Sequence, residues 1–330
     1  MTPVYVGIDL GGTNMSVGVT DARGKLLGQA KRKTKAQLGR DGVIARMVGG
    51  VQRACNDANV SIDDVAAIGV GAPGPIDVNA GVVIKSGNLG WEHVPLRDLL
   101  AAALNRPVAL DNDVNVAAYG EATIGVARGR EHLLAVWVGT GIGGALVMHR
   151  AIFHGSFFTA GELGYTIVIP EGGPGARTLE QHSSRTAMAA VIRQLLPSFP
   201  DSAFHGLLKE RDSSGPADPV ASSVIAEAYA ARDELALRVV HHAADVLGLA
   251  IANWITVLSL DTVVLGGGVT EALGRPFLER VRRTFDRSVF PAQCRQCEIC
   301  LSDLGDLAGV FGAAMLARGC VVPGSDGVNS

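Results

Sequence analysis

The sequence predicts an α/β protein in two parts, and three observations carry that prediction. Apolar strand-like runs alternate with helical periodicity along most of the chain, the pattern of sheets flanked by helices. A similar hairpin opens each half: VGIDLGGTNMSVGV near the start is echoed by VWVGTGIGGALVM from Val136 onward, a weak internal duplication. The 42 glycines in 330 residues are clustered at 11–12, 69–74, 139–144, 161–164 and 266–268. Clustered glycines beside apolar strands mark places where the backbone turns sharply or approaches something closely.

Taken in order, residues 4–10 read as a buried strand, Gly11-Gly12-Thr13 as a tight turn, and Met15, Val17 and Val19 as the inward face of a second strand. A third strand is expected near 25–32, a helix over 41–57, a buried strand over 65–71, a helix over 96–104, a short strand over 108–110 and a helix over 113–126. The pattern restarts with a strand over 133–138, a glycine turn at 139–144 and a strand over 145–148. Helices are expected over 185–195 and about 222–258, with a polar surface loop over 196–220 between them. Residues 262–265 form a buried strand stopped by Gly266-Gly267-Gly268, and 276–288 a basic helix with a solvated face. A strand near 297–302, a helix over 306–318 and a frayed tail over 322–330 complete the expectation.

The bulk figures narrow the function. A length of 330 residues suggests two domains. Hydrophobic residues make up 48% and charged residues 18%, ample for a packed core. A net charge of −3 gives no sign of a nucleic-acid or membrane-surface binder. Mean hydropathy is +0.26, yet no apolar run approaches the roughly 18 residues that span a bilayer. The start of the chain has no basic region and runs straight into a strand, so no signal peptide is expected. Five cysteines make no disulfide framework in a chain this long, and a cytoplasmic protein fits best.

The glycine turns at 11–13 and 139–144 follow buried strands, where bare backbone N–H groups can grip phosphate oxygens. Two such turns suit a triphosphate, and the alternative is a pair of ordinary hairpins. No Walker A loop is present. Gly139, Gly141 and Gly144 match a dinucleotide fingerprint, but that motif must open a helix, and a strand-like run follows here. Asp111-Asn112-Asp113-Val114-Asn115 lies between a strand and a helix. Asp111 or Asn112 can cap the helix. A carboxylate at the carboxyl end of such a strand can take a proton from a sugar hydroxyl, with an amide bonding its neighbours. Glu162 and Glu180 lie in loop-like surroundings and suit vicinal hydroxyls, though each alone is more often a surface acid. Cys294-x-x-Cys297-x-x-Cys300 is not read as a metal site, since residues three apart on a strand face opposite ways.

Together these residues resemble the ROK family (repressors, open reading frames and kinases), and within it the bacterial glucokinases. The resemblance rests on Val6–Thr13, Gly71–Pro75, Asn88–Trp91, Asp111–Asn115 with Gly120-Glu121, Gly139–Gly144, Ala160–Gly164, Gly266–Val269 and Gly305–Ala314, in the family's order. It implies an actin-like, hexokinase-like (ribonuclease H-like) two-lobed ATPase fold with a central cleft. One lobe would hold residues 1–120, rejoined by a helix at about 305–320, and the larger lobe 121–304. It implies ATP and Mg²⁺, with Asp9, Gly11, Gly12, Thr13, Asn14, Gly139, Thr140, Gly141, Gly143, Gly144, Gly266 and Gly267 at the nucleotide and Asp9 near the metal. Asp113 would be the general base, and Gly74, Asn88, Asn112, Glu162 and Glu180 would hold the sugar; Tyr165, a departure from the family's histidine, would offer its hydroxyl there instead.

The implied reaction is phosphorylation of a hexose, glucose to glucose 6-phosphate first and mannose, fructose, allose or an N-acetylhexosamine as alternatives. A glycolytic role, a homodimer and no nucleic-acid or membrane partner go with it. The family commonly has a histidine after Gly-Glu-x-Gly and then a cysteine-rich zinc loop. Here Tyr165 takes the histidine's place and residues 171–179 contain no cysteine, so no structural zinc is expected. Family repressors carry an N-terminal helix-turn-helix, and here the first phosphate strand begins at Val4. A catalytically silent sugar-binding relative is a third reading, opposed by the retention of Asp113 and both glycine turns.

Overall fold

The computed structural model describes residues 3–171, 173, 176–212 and 220–321. The expected tail at 322–330 lies outside them, as do residues 172, 174 and 175 of the cysteine-free loop. The chain forms two compact units.

The first unit runs to Leu133 and adds Ala145–Gly161 and the chain from Ser302 on. Its five-stranded sheet has the order β3-β2-β1-β4-β8. Strands β1 (Val4–Leu10), β2 (Asn14–Asp21) and β3 (Leu26–Lys33) form an antiparallel meander. Strands β4 (Val65–Ala72) and β8 (Val108–Asn112) continue it in parallel. The period-two pattern of β1 divides its side chains between two layers. Val6, Ile8 and Leu10 join the core built with helices α1 (Gly39–Asp57) and α2 (Leu96–Leu104). Tyr5 instead packs with Tyr119 of α3 (Asp113–Thr123) and with Ala314 and Met315 of α10 (Ala308–Val321). A small antiparallel sheet, unexpected from the sequence, comprises β5 (Ile76–Asp77), β6 (Val82–Ser86) and β7 (Trp91–Val94). Its strands are too short for their alternation to register.

In the second unit, β12 (Thr262–Gly266) lies parallel to β9 (Leu133–Val138) on one side and β13 (Glu298–Leu301) on the other. Strand β10 (Ile142–Met148) follows the turn at 139–141, and its far end, in the first unit, pairs with β11 (Ala151–Ile152). Strand β10 therefore begins at Ile142, inside the turn expected over 139–144, and no helix opens after Gly144, which removes the dinucleotide motif. Helices α4 (Glu180–Ser183) and α5 (Arg185–Leu195) pack on the long α8 (Glu234–Leu258). By length and composition α8 could cross a membrane, but 61% of its apolar window is buried in the core.

Three sequence expectations change here. The polar stretch read as a loop contains α6 (Phe204–Asp212); residues 213–219 lie outside the description. The helix expected over 222–258 is two, α7 (Ser222–Ala230) and α8, parted where Arg232 takes φ 58°. Helix α9 begins at Gly268 and runs to Ser288, with a kink at Gly274, so the basic segment at 276–288 is only its second half.

Candidate active site

Asp113 stands where β8 becomes α3. Asn112 is the cap: its Oδ1 accepts the N–H groups of Val114 at 2.9 Å and Asn115 at 3.2 Å, satisfying donors the helix leaves open. Its Nδ2 donates to the Gly74 carbonyl at 3.1 Å. Gly74 has φ 101°, and any side chain there would strike the Lys85 carbonyl. Burial raises the Asp113 carboxyl above its usual range, against the lowering pull of the Val114 N–H. A desolvated carboxylate is a stronger proton acceptor.

Asp111 is not the cap. It is 2% exposed, and its Oδ1 accepts the Asn115 side-chain amide at 2.8 Å and the Asn112 N–H at 2.7 Å. Its Oδ2 is 2.7 Å from His154 Nε2. A carboxylate oxygen can only accept, so the histidine proton lies on Nε2. His154 thus fixes Asp111, which fixes both sides of Asp113. Nothing in the local sequence marks His154, because its partner is 43 residues away.

Asp9 ends β1. Burial pushes its pKa up to about 7, with Asp113 and then Asp306 adding to the rise. The turn beyond it is tied down by Thr34, which is 0% exposed. The Thr34 hydroxyl donates to the Gly11 carbonyl at 2.6 Å and its N–H to the Thr13 carbonyl at 2.8 Å. In a trans peptide the following N–H points the opposite way. The N–H groups of Gly12 and Asn14 are therefore turned away from Thr34, as an anion-binding turn requires. Asn88 lies against this turn: a Cβ on Gly12 would come within 2.8 Å of the Asn88 Cβ. Asp9, Gly11 and Asn14 line a cavity of about 540 Å³ with Lys31, Lys33 and Asp306.

The second turn has a matching construction within its own unit. Arg185 N–H donates to the Gly139 carbonyl at 2.9 Å, the Thr186 hydroxyl to the Thr140 carbonyl at 2.7 Å, and Gly139 N–H to the Gly141 carbonyl at 2.9 Å. The N–H groups of Thr140 and Gly141 accordingly face away from those partners. Glu180 Oε2 accepts the Ile142 N–H at 2.8 Å and sits against Gly141. Glu180 thus braces the glycine turn, a task its sequence position did not suggest. Gly143 and Gly144 continue into β10. Glu162 precedes a short helical turn over Leu163–Tyr165 that Tyr165 ends, and both are exposed, Tyr165 at 69%.

Gly266 and Gly267 have a packing reason to be glycine. A Cβ on Gly266 would stand 2.6 Å from the Trp137 ring, and Gly267, at φ 89°, lies against the Val138 carbonyl. Glu121 is a buried structural acid that accepts from Ser302, Leu304 and Val126. Among the described residues no three His, Cys, Asp or Glu side chains gather to hold a metal. Burial pushes the Cys297 thiol up to about 12, which keeps it protonated and a poor ligand.

Known proteins share this architecture. The ROK family pattern spans residues 5–319. The chain is 32% identical to a glucokinase from Halalkalibacterium halodurans over 95% of this chain and 94% of the relative. It is 31% identical to one from Thermotoga maritima over 95% and 96%. A crystal structure of a ROK family glucokinase from Streptomyces griseus, in complex with glucose and AMPPNP, superposes with TM-score 0.81 at 29% identity, covering 96% of this chain and 99% of that one. The ROK hexokinase from Thermus thermophilus gives TM-score 0.76 at 31% identity, covering 96% and 98%. The actin-like α/β fold class expected from the sequence is the one these structures share.

Proposed function

The chain belongs to the ROK family, and from that premise we propose that it transfers the γ-phosphoryl group of ATP to a hexose hydroxyl, with glucose the leading acceptor and glucose 6-phosphate the product. The glucokinases it is similar to, and the glucose and AMPPNP held by one of them, support this choice of substrates. The observation that carries it in this chain is Asp113: a half-buried carboxylate made more basic by desolvation and held at a strand-to-helix junction by Asn112 and by the Asp111–His154 pair.

A sugar hydroxyl attacks phosphorus only if its proton has somewhere to go, and Asp113 is assigned to take it. Phosphoryl transfer asks little covalent chemistry of the protein, so positioning and charge stabilisation carry the rate. The N–H groups of Gly12 and Asn14 in one unit, and of Thr140 and Gly141 in the other, are assigned to phosphate oxygens. Asn112, with its second Nδ2 hydrogen, and Asn88 are assigned to the sugar, together with Glu162, Tyr165 and the Oε1 of Glu180.

Asp9 suits Mg²⁺. An acid pushed up to about 7 by burial and two neighbouring carboxyls ionises more readily once a cation is near. Mg²⁺ commonly takes one or two carboxylates plus substrate phosphates and water, which agrees with Asp9 standing outside any preformed cage. The ion would neutralise phosphate charge. ADP release measured across a panel of hexoses tests the proposal. Activity with glucose or another hexose is the expected result, and background rates with every sugar would end it.

A further inference from the structure

The segment from Tyr165 to Glu180 has no cysteine, so its order must come from other bonds. An antiparallel bridge joins Ile167 and Thr178. The N–H groups of Val168 and Ile169 donate to the Arg177 carbonyl at 2.9 and 3.2 Å, and Leu179 N–H to the Thr166 carbonyl at 2.9 Å. Gln181 Oε1 accepts the N–H groups of Arg177 and Thr178 at 2.9 and 3.0 Å. These bonds join residues 166–169 to residues 177–181. They do not attach the segment to the rest of its unit.

Beyond the Glu180–Ile142 bond, His182 adds an attachment to α8. Its Nε2 lies 2.9 Å from the Ala176 carbonyl, and its Nδ1 lies 3.2 Å from Nε2 of His242 on α8. A carbonyl can only accept, so His182 carries its proton on Nε2. In the neutral ring Nδ1 is then bare and must accept, which places the His242 proton on Nε2. The result is a one-directional relay: His242 Nε2–H to His182 Nδ1, and His182 Nε2–H to the Ala176 carbonyl. Next to it, the Ser183 hydroxyl donates to the Ala243 carbonyl at 2.9 Å. Both histidines face a cavity of about 900 Å³ that Glu180, Thr140 and Gly141 also line.

We propose that His182 and His242 are positioning residues that tie the segment carrying Tyr165 and Glu180 to helix α8 through this imidazole relay, and so set the enzyme's affinity for its hexose. Neither ring reacts. Glu180, whose Oε1 is assigned to the sugar, is two residues from His182, while its Oε2 stays held by the Ile142 N–H, so slack in the segment reaches the sugar side of Glu180 and spares the phosphate turn. The inference rests on the hexose-kinase reading, and its test separates the two.

His182→Ala and His242→Ala remove the relay from opposite ends. Each is expected to raise the KM for glucose roughly three- to tenfold, the loss of one or two hydrogen bonds, with kcat and the KM for ATP within about twofold of wild type. His182→Gln, whose amide can still donate to Ala176, is expected to recover most of the loss. Hydrogen exchange supplies a readout independent of turnover: the amides of Val168, Ile169 and Leu179 are expected to exchange faster in both alanine variants. An unchanged glucose KM together with unchanged exchange overturns the proposal. Two nitrogens 3.2 Å apart are also close to the spacing of two ligands on a tetrahedral metal, about 3.3 Å for bonds of about 2.0 Å. Wild-type enzyme treated with a chelator is therefore expected to keep its glucose KM. A chelator that reproduces the alanine phenotype assigns the tie to a metal and overturns the relay. If the wild type phosphorylates no hexose, the kinase reading fails while exchange still decides the relay.

Discussion

Replacing Thr34 by valine deletes one hydroxyl and almost nothing else, since the two side chains share a shape. The hydroxyl donates at 2.6 Å to the Gly11 carbonyl, in a residue 0% exposed. The second tie, Thr34 N–H to the Thr13 carbonyl at 2.8 Å, uses the backbone and survives. One of two braces on the first phosphate turn is therefore lost. A hydrogen bond of this kind contributes about 0.5–1.5 kcal/mol net. Gly11 is only half-buried, so its carbonyl regains water and a cost of about 1 kcal/mol is reasonable. In a unit of this size that lowers Tm by roughly 2–4 °C. If the freed turn spends its time in other conformations, about 1 kcal/mol also weakens apparent ATP affinity about fivefold. Thermal unfolding and steady-state kinetics with ATP varied read both effects, and the KM for glucose should stay put. Thr34→Ser keeps the hydroxyl and should behave as wild type. An ATP KM within twofold of wild type in the valine variant, or equal damage from serine, would refute the bracing argument.

Asp113→Asn should retain glucose binding by equilibrium titration while kcat falls roughly 10²–10⁴-fold, as expected for a lost general base; near-normal turnover removes Asp113 from that role. His154→Ala should cost about 1–3 kcal/mol by leaving a buried carboxylate short of a donor, and His154→Gln should restore most of it; equal unfolding midpoints for all three proteins would contradict the pairing. Asp9 holds its proton up to about 7 in the folded chain against 3.8 ordinarily, so the native state binds the extra proton across that window. Its contribution to stability is then present at low pH, falls as pH rises from about 4 to about 7, and is flat above; the difference in melting temperature between wild type and Asp9→Asn should follow that curve, and a flat difference would sink it. Metal analysis of protein purified without added metal should find less than one zinc per chain, and a tightly held zinc would show that the cysteine-free segment finds ligands elsewhere.

How much of this was legible in the sequence depended on whether the partner lay nearby. Strands β1 and β2 and the turn between them read directly, because alternation and paired glycines are local signals. The junction at Asp111–Asn115 read as a capped helix start for the same reason: a cap and the helix it starts are adjacent in sequence. Strands β5 to β7 escaped because two to five residues cannot establish a period. The break between α7 and α8 escaped because Arg232 at φ 58° is a conformation glycine or asparagine would advertise and arginine does not.

The larger gap concerns what holds the groups assigned to the reaction. Asp113 owes its setting to His154, the first glycine turn owes its orientation to Thr34, and the second leans on Glu180. Their partners lie 43, 23 and 38 residues away. At such separations a histidine, a threonine and a glutamate look like ordinary polar residues, since only the fold brings the partners together. Glu180 shows the consequence most clearly. Read alone it was a carboxylate suited to a sugar hydroxyl, yet one of its oxygens is committed to the Ile142 N–H. A substitution there would disturb the phosphate turn as well as any sugar contact. Glu180→Gln is the cleaner probe, because its amide oxygen can still accept from Ile142 while the charge offered to a hydroxyl is gone. If the glucose KM rises and the ATP KM does not, the two tasks of this one side chain have been separated.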